Sequence, residues 1–187
     1  MKLISVNIEW NKHLDKVLPF IKTEMPDVLC LQEFVASDIP RFEELGYTST
    51  FLPNTLERDV SIPGAFGIGL LTKKETVKVV RSDTYFYHNE AGTIVPYDKT
   101  RVDETMNRGV IVNEIICEGT TFSILTTHFP DAPHGSIPTE TQKRDLERLL
   151  AFTKSLPPHI ICGDFKLPRN QNPLYDTLVS EYTNAVP

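Results

Sequence analysis

RGVIVNEIICEGTTFSILTTHF, residues 108–129, decides the fold class. Two β-branched, apolar runs flank Glu118-Gly119, a dipeptide suited to the tight turn of a β-hairpin. A hairpin makes neighbouring strands antiparallel, which a simple parallel, doubly wound sheet does not contain. Outward from it, KLISVNI (2–8), YTSTFL (47–52), AFGIGLLT (65–72) and TVKVVRSDTYFY (76–87) also read as strands. DVLCLQEF (27–34) is almost continuously apolar, as in a strand buried on both faces. HIICGD (159–164) is the last clear strand.

Helices are fewer. Leu14, Val17, Leu18 and Ile21 recur at helical spacing, predicting a helix over 13–24, kinked or delayed by Pro19. Ser37 or Asp38 is expected to cap a short helix to Leu45, closed by Gly46. Thr139 caps a longer one, TETQKRDLERLLAFTKSL, with Leu146, Leu149, Leu150 and Phe152 inward. NPLYDTLVSEY (172–182) gives a further short helix, and the polar stretch 88–107 a long surface loop. The expected architecture is therefore α/β, a sandwich of mixed or antiparallel sheets, in one domain over residues 1–187.

Composition narrows function. A 187-residue chain with 40% hydrophobic and 24% charged residues is ordinary globular material. Its net charge of -6 argues against a binder that grips nucleic acid by charge alone. Cys30, Cys117 and Cys162 lie in apolar runs without C-x-x-C spacing, so they read as buried thiols of a reducing compartment. No signal-peptide core and no membrane-length apolar run occurs, and the expected location is cytoplasmic.

Four strands end in polar residues that a buried strand does not need: Asn7, Gln32-Glu33, His128 and Asp164. Side by side, they would converge at one sheet edge, where α/β proteins place their sites. Glu33 and Asn7 offer hard oxygens suited to Mg²⁺. His128 can donate to a developing oxyanion, and Asp164 can orient or deprotonate a water. Each residue alone has a plainer reading as a turn or surface residue; together they require that explanation four times over.

The ordered set PDVLCLQE, NRGVIVNEI, TTHFPDAP and CGDF, with Asn7 on the first strand, resembles the endonuclease/exonuclease/phosphatase superfamily. These are metal-dependent phosphoesterases related to pancreatic-type deoxyribonucleases and abasic-site endonucleases. The resemblance implies an αββα two-sheet sandwich, with Mg²⁺ or Mn²⁺ as cofactor. It further implies metal binding by Glu33 and Asn7, catalysis by His128 and Asp164, and phosphate contacts from Asn7, Arg108 and the residue at Lys166. The substrate would be a phosphate ester, with nucleic acid among the candidates. In the stretch 88–107 and just beyond it, Lys99, Arg101 and Arg108 are candidate selectivity residues.

Two departures from the family pattern stand out. The motif usually reads GDFN, and here its asparagine is Lys166, a compact cation that can hold a phosphate but repels a nearby metal ion. The closing Ser-Asp-His motif does not occur in the chain. The expectation is a C-terminally truncated domain lacking its last strands, with a partner or self-association covering the open sheet edge. His88 or His134 would have to stand in for that histidine. The leading expectation is a phosphoesterase, and the alternative a non-catalytic phosphate-ligand or protein-binding module. A serine or cysteine nucleophile fits poorly, because no G-x-S-x-G occurs and the thiols are buried.

Overall fold

The structure, a computed structural model, describes residues 1–56, 64–89, 93–132 and 136–185. His134 and part of the 88–107 stretch lie outside the described residues. The chain divides into two compact units.

The first unit, Met1–His128 with Pro158–Asp164, holds every strand among the described residues. One sheet runs β1 (Leu3–Asn7), β2 (Val28–Val35), β4 (Ala65–Lys73), β3 (Tyr47–Leu56). The other runs β5 (Val77–Phe86), β6 (Gly109–Cys117), β7 (Thr120–His128), β8 (Ile160–Asp164). Both are mixed: β1 pairs parallel with β2 and β7 with β8, and the remaining pairs are antiparallel. The hairpin at Glu118-Gly119 forms as expected, with positive φ at both residues (51° and 77°), the geometry that joins right-twisted strands closely.

Alternation places the core. Val28, Cys30, Leu52, Ile68 and Leu70 of the first sheet share an apolar cluster with Val77, Ile111, Ile115, Cys117 and Ile124 of the second. On the first sheet's other face, Leu29, Leu31, Phe34 and Leu71 meet Leu14 and Ile21 of α1 (Leu14–Glu24) and Phe42 of α2 (Ile39–Glu43). β2 is thus buried on both faces, as its unbroken apolar run requires, and each of these fully buried side chains contributes roughly 1.5–3 kcal/mol.

Two local expectations change. Asp38 stands at the N-cap of α2, after a 3-10 turn over Ala36–Asp38, but makes no side-chain capping bond. α1 matches its expected span, running Leu14–Glu24 from an N-cap at His13 with Pro19 inside it. The stretch 88–107 contains a one-turn helix, α3 (Val102–Thr105), and Thr105, Met106 and Asn107 are buried rather than looped out. Met106 joins Val35 and Phe66 in a small cluster, which explains its burial.

The second unit, Phe129–Pro157 with Phe165–Pro187, carries α4 (Glu140–Lys154) and α5 (Pro173–Glu181). Thr139 caps α4 through a complete capping box with Gln142. Leu146, Leu149 and Leu150 are buried as expected, but Phe152 is half-buried and Thr153 takes the inward place. Lys154 pairs with Glu181 at 2.8 Å, tying α4 to α5.

Candidate active site

The site residues sit at the ends of β1, β7 and β8 and at a break in β2. Asn7 closes β1, opposite Gln32 of β2, and His128 closes β7, opposite Asp164 of β8. Past Asn7 the chain turns sharply: the Asn7 carbonyl oxygen Oδ1 accepts from Glu9 N at 2.9 Å, an Asx turn that carries Glu9 and Trp10 into left-handed backbone (φ 48° and 65°). The amide of Trp10 then donates to the Glu33 carbonyl at 3.0 Å.

Glu33 is presented by a break in its strand. The β2–β4 register shifts between Gln32 and Phe34, and Glu33 itself has φ 54°. Such a bulge re-aims one side chain out of the strand's alternation, and left-handed backbone costs a non-glycine residue free energy that the surroundings must offset.

Asp164 depends on the glycine before it. A Cβ on Gly163 would lie 2.3 Å from the Thr127 carbonyl oxygen, so only glycine lets β8 approach β7 this closely. Glycine in this motif therefore sets the strand spacing that puts Asp164 beside His128.

These groups converge on shared atoms. Asn7 Nδ2 donates to Glu33 Oε1 at 3.0 Å and to Asp164 Oδ2 at 2.9 Å. His128 Nε2 lies 3.9 Å from each of the same two oxygens, close enough for charge attraction but too far for a hydrogen bond. The His128 side chain is 5% exposed, against 18% for Glu33 and 23% for Asp164, so the carboxylates face outward and the imidazole backs them.

His128 is held from behind. Its carbonyl oxygen accepts from Tyr87 Oη and from Arg108 Nη1, both at 3.4 Å. Thr127 Oγ1 donates to Gly109 O at 2.8 Å and meets Tyr87 Oη at 2.8 Å. Arg108, expected as a phosphate contact, is thus buried (5% exposed) with its guanidinium on a strand-end carbonyl. Tyr87 and Thr127 went unnoticed in the sequence; the signal was their place beside Arg108-Gly109 and His128 in paired strands. His88 is also accounted for, its Nε2 2.7 Å from the Asp103 carbonyl oxygen across the 88–107 stretch. Arg101 pairs with Glu104 within its own turn, and Lys99 is exposed.

Asn7 was expected to lend an oxygen to a metal. Its orientation favours another part, because Oδ1 is engaged by Glu9 N and the Nδ2 hydrogens face both carboxylates. Lys166 falls in the second unit, with left-handed backbone of φ 51°, a conformation asparagine adopts far more readily than lysine.

Among the described residues, no three His, Cys, Asp or Glu groups gather as a closed metal cage. Mg²⁺ does not ask for one: it takes one or two carboxylates and keeps its waters and substrate oxygens. The outward carboxylates of Glu33 and Asp164 fit that demand, and no thiolate stands among these side chains as in a cysteine-rich structural zinc site.

One layer deeper, the neighbouring thiols of Cys30 and Cys162 shift each other, holding Cys162 below and, with burial, Cys30 well above the usual thiol range.

A family model described as Endonuclease/Exonuclease/phosphatase family matches residues 4–165, a span containing Asn7, Glu33, His128 and Asp164. The chain belongs to the endonuclease/exonuclease/phosphatase family. Solved structures agree in fold. The human Nocturnin catalytic domain with bound sulfate is 24% identical, with TM-score 0.69, covering 98% of this chain and 70% of that one. A mannosyl-6-phosphatase from Bacteroides thetaiotaomicron is 15% identical, with TM-score 0.70 and coverage of 97% and 70%. ANGEL2, a 2',3'-cyclic phosphatase, is 21% identical, with TM-score 0.65 and coverage of 88% and 46%. At these identities the likeness is one of architecture. Family membership makes phosphoester hydrolysis the chemistry against which this endonuclease/exonuclease/phosphatase site is read. Among the described residues, no helix is long and apolar enough to cross a membrane.

Proposed function

We propose that the chain is a divalent-metal-dependent hydrolase of phosphate esters, working through Glu33, Asp164, His128 and Asn7. The observation that carries this reading is the sharing of one Asn7 nitrogen by two carboxylates from different sheets, with His128 3.9 Å from both.

Glu33 would hold the cation, with the outward-facing Asp164 carboxylate beside it. A bound Mg²⁺ or Mn²⁺ would polarise a phosphoryl oxygen and offset the charge that grows there. Asp164 orients the attacking water and takes its proton. His128, buried and braced by Tyr87 and Arg108, donates to the phosphoryl oxygen as negative charge develops. Asn7 keeps the two carboxylates at a fixed separation, so their geometry is set before substrate arrives. Arg108 acts through His128, as a brace on its backbone. A phosphodiester or phosphomonoester suits the site; the net charge of -6 disfavours a duplex held by charge alone.

Lys166 supports a second reading, a phosphate-binding module without turnover, because a cation stands where the family motif carries an amide. Hydrolysis of bis-p-nitrophenyl phosphate, p-nitrophenyl phosphate and a labelled oligonucleotide, with Mg²⁺, Mn²⁺ or a chelator, separates the two. Metal-dependent release of product supports the enzyme. Phosphate or nucleotide binding with no turnover under any metal supports the module.

A further inference from the structure

Gln32 is 1% exposed, in the inter-sheet space immediately before the Glu33 bulge. Its Nε2 lies 3.1 Å from Thr126 Oγ1, 3.1 Å from the Cys30 carbonyl oxygen and 3.4 Å from Ser5 Oγ. Ser5 is on β1, Cys30 on β2 and Thr126 on β7, so one side chain reaches three strands in two sheets.

The placement relative to the site is regular. Residues two apart on a strand share a face. Ser5 stands one such step below Asn7 and Thr126 one step below His128, and Cys162, the register partner of Thr126, one step below Asp164. Gln32 itself is level with Asn7, and its amide nitrogen reaches down between Ser5 and Thr126, directly beneath the site layer.

A leucine there would contribute apolar burial with no polar group of its own to satisfy. Apolar contacts are non-directional, however, and fix the distance between two sheets only loosely. A buried amide nitrogen held by directional bonds from both sheets fixes it more closely. We infer that Gln32 is a positioning residue: its bond to Thr126 sets the separation of Glu33, on one sheet, from His128, on the other. This rests on the proposed phosphoesterase reading for its catalytic consequence, but not for its geometry.

The test uses Gln32→Leu, Thr126→Val, the double variant and Thr126→Ser, each checked for native circular dichroism. Crystal structures of Gln32→Leu and wild type report the Glu33–His128 separation without any turnover. The expected result is a distance clearly longer than the present 3.9 Å. In turnover, each single variant is expected to lose on the order of tenfold or more in kcat, since misplacing reacting groups by about 1 Å costs that much or more. KM should stay within about twofold, the double variant should be no worse than the singles, and Thr126→Ser should recover most of the rate. An unchanged separation, additive losses, or a fall in Tm with unchanged kcat would overturn the inference. If wild type and Glu33→Ala show the same metal-independent background, the phosphoesterase reading fails, and the measured separation still decides the positioning claim.

Discussion

Asn7 and Asp164, 157 residues apart, are joined by a 2.9 Å hydrogen bond between the ends of β1 and β8, and so between the two sheets. The same nitrogen reaches Glu33 at 3.0 Å. Two carboxylates that would otherwise repel are thereby held around one donor, an arrangement stabilised only while that donor is an amide or a cation.

Asn7→Asp should be the more damaging of two substitutions. It removes the donor and sets a third carboxylate against the other two, whereas Asn7→Ala removes the donor and the Oδ1 acceptor of the Asx turn but adds no charge. Metal-dependent kcat/KM is expected to fall on the order of tenfold for Asn7→Ala and a hundredfold or more for Asn7→Asp. Equal losses, or a milder effect of Asp, would contradict the role given to the amide.

Gly163→Ala tests the strand approach that delivers Asp164. The added Cβ meets the Thr127 carbonyl at 2.3 Å, which is backbone and cannot swing aside. A loss of roughly 1–3 kcal/mol in urea unfolding is expected. Since Thr127 precedes His128, turnover of the remaining folded protein should fall as well. Stability within error of wild type would show that β8 moves freely.

Lys166 has φ 51°. Lys166→Asn is expected to raise stability by roughly 0.5–1 kcal/mol, part of the cost of left-handed backbone in a residue that resists it. Guanidinium unfolding of the two proteins measures this directly, and a destabilised Lys166→Asn would mean the lysine side chain contributes more than its backbone costs.

Asp38 is a buried carboxyl whose Oδ2 has no hydrogen-bond partner among the described residues, with Arg41 3.9 Å from Oδ1. Burial raises its pKa, and Arg41 only partly opposes this. An acid with a raised folded pKa weakens the fold as pH climbs from its unfolded value, about 3.9, through the folded one, and has no such effect below both. Asp38→Asn is therefore expected to be more stable than wild type at pH 7 by about 1 kcal/mol, and to lose that advantage near pH 3. Thermal melts across that range would show a pH-independent difference if the carboxylate were well solvated.

Much of this was legible in the chain, because strand and site announced themselves by contrast. DVLCLQEF and IICGD are apolar runs broken by a carboxylate, and burial leaves few other reasons for a charge there. The hairpin at Glu118-Gly119 was equally plain, since Gly119 takes left-handed backbone without a Cβ cost and stands between two β-branched runs. What stayed hidden depends on the third dimension. Arg108 reads in the sequence as a phosphate contact, yet pairing of β6 with β7 buries it against the His128 carbonyl. Gln32 read as half of a strand-end pair, and only the facing sheet reveals Thr126 as its partner. The bulge at Glu33 has no local signature either, because nothing in LQEF calls for left-handed backbone.

The most direct test compares Mg²⁺-dependent hydrolysis of bis-p-nitrophenyl phosphate by wild type, Glu33→Gln and Asp164→Asn. Both variants keep size and shape while removing a charge. The account predicts losses on the order of a hundredfold or more in each, with native circular dichroism retained. Turnover at the wild-type rate in either folded variant would contradict it.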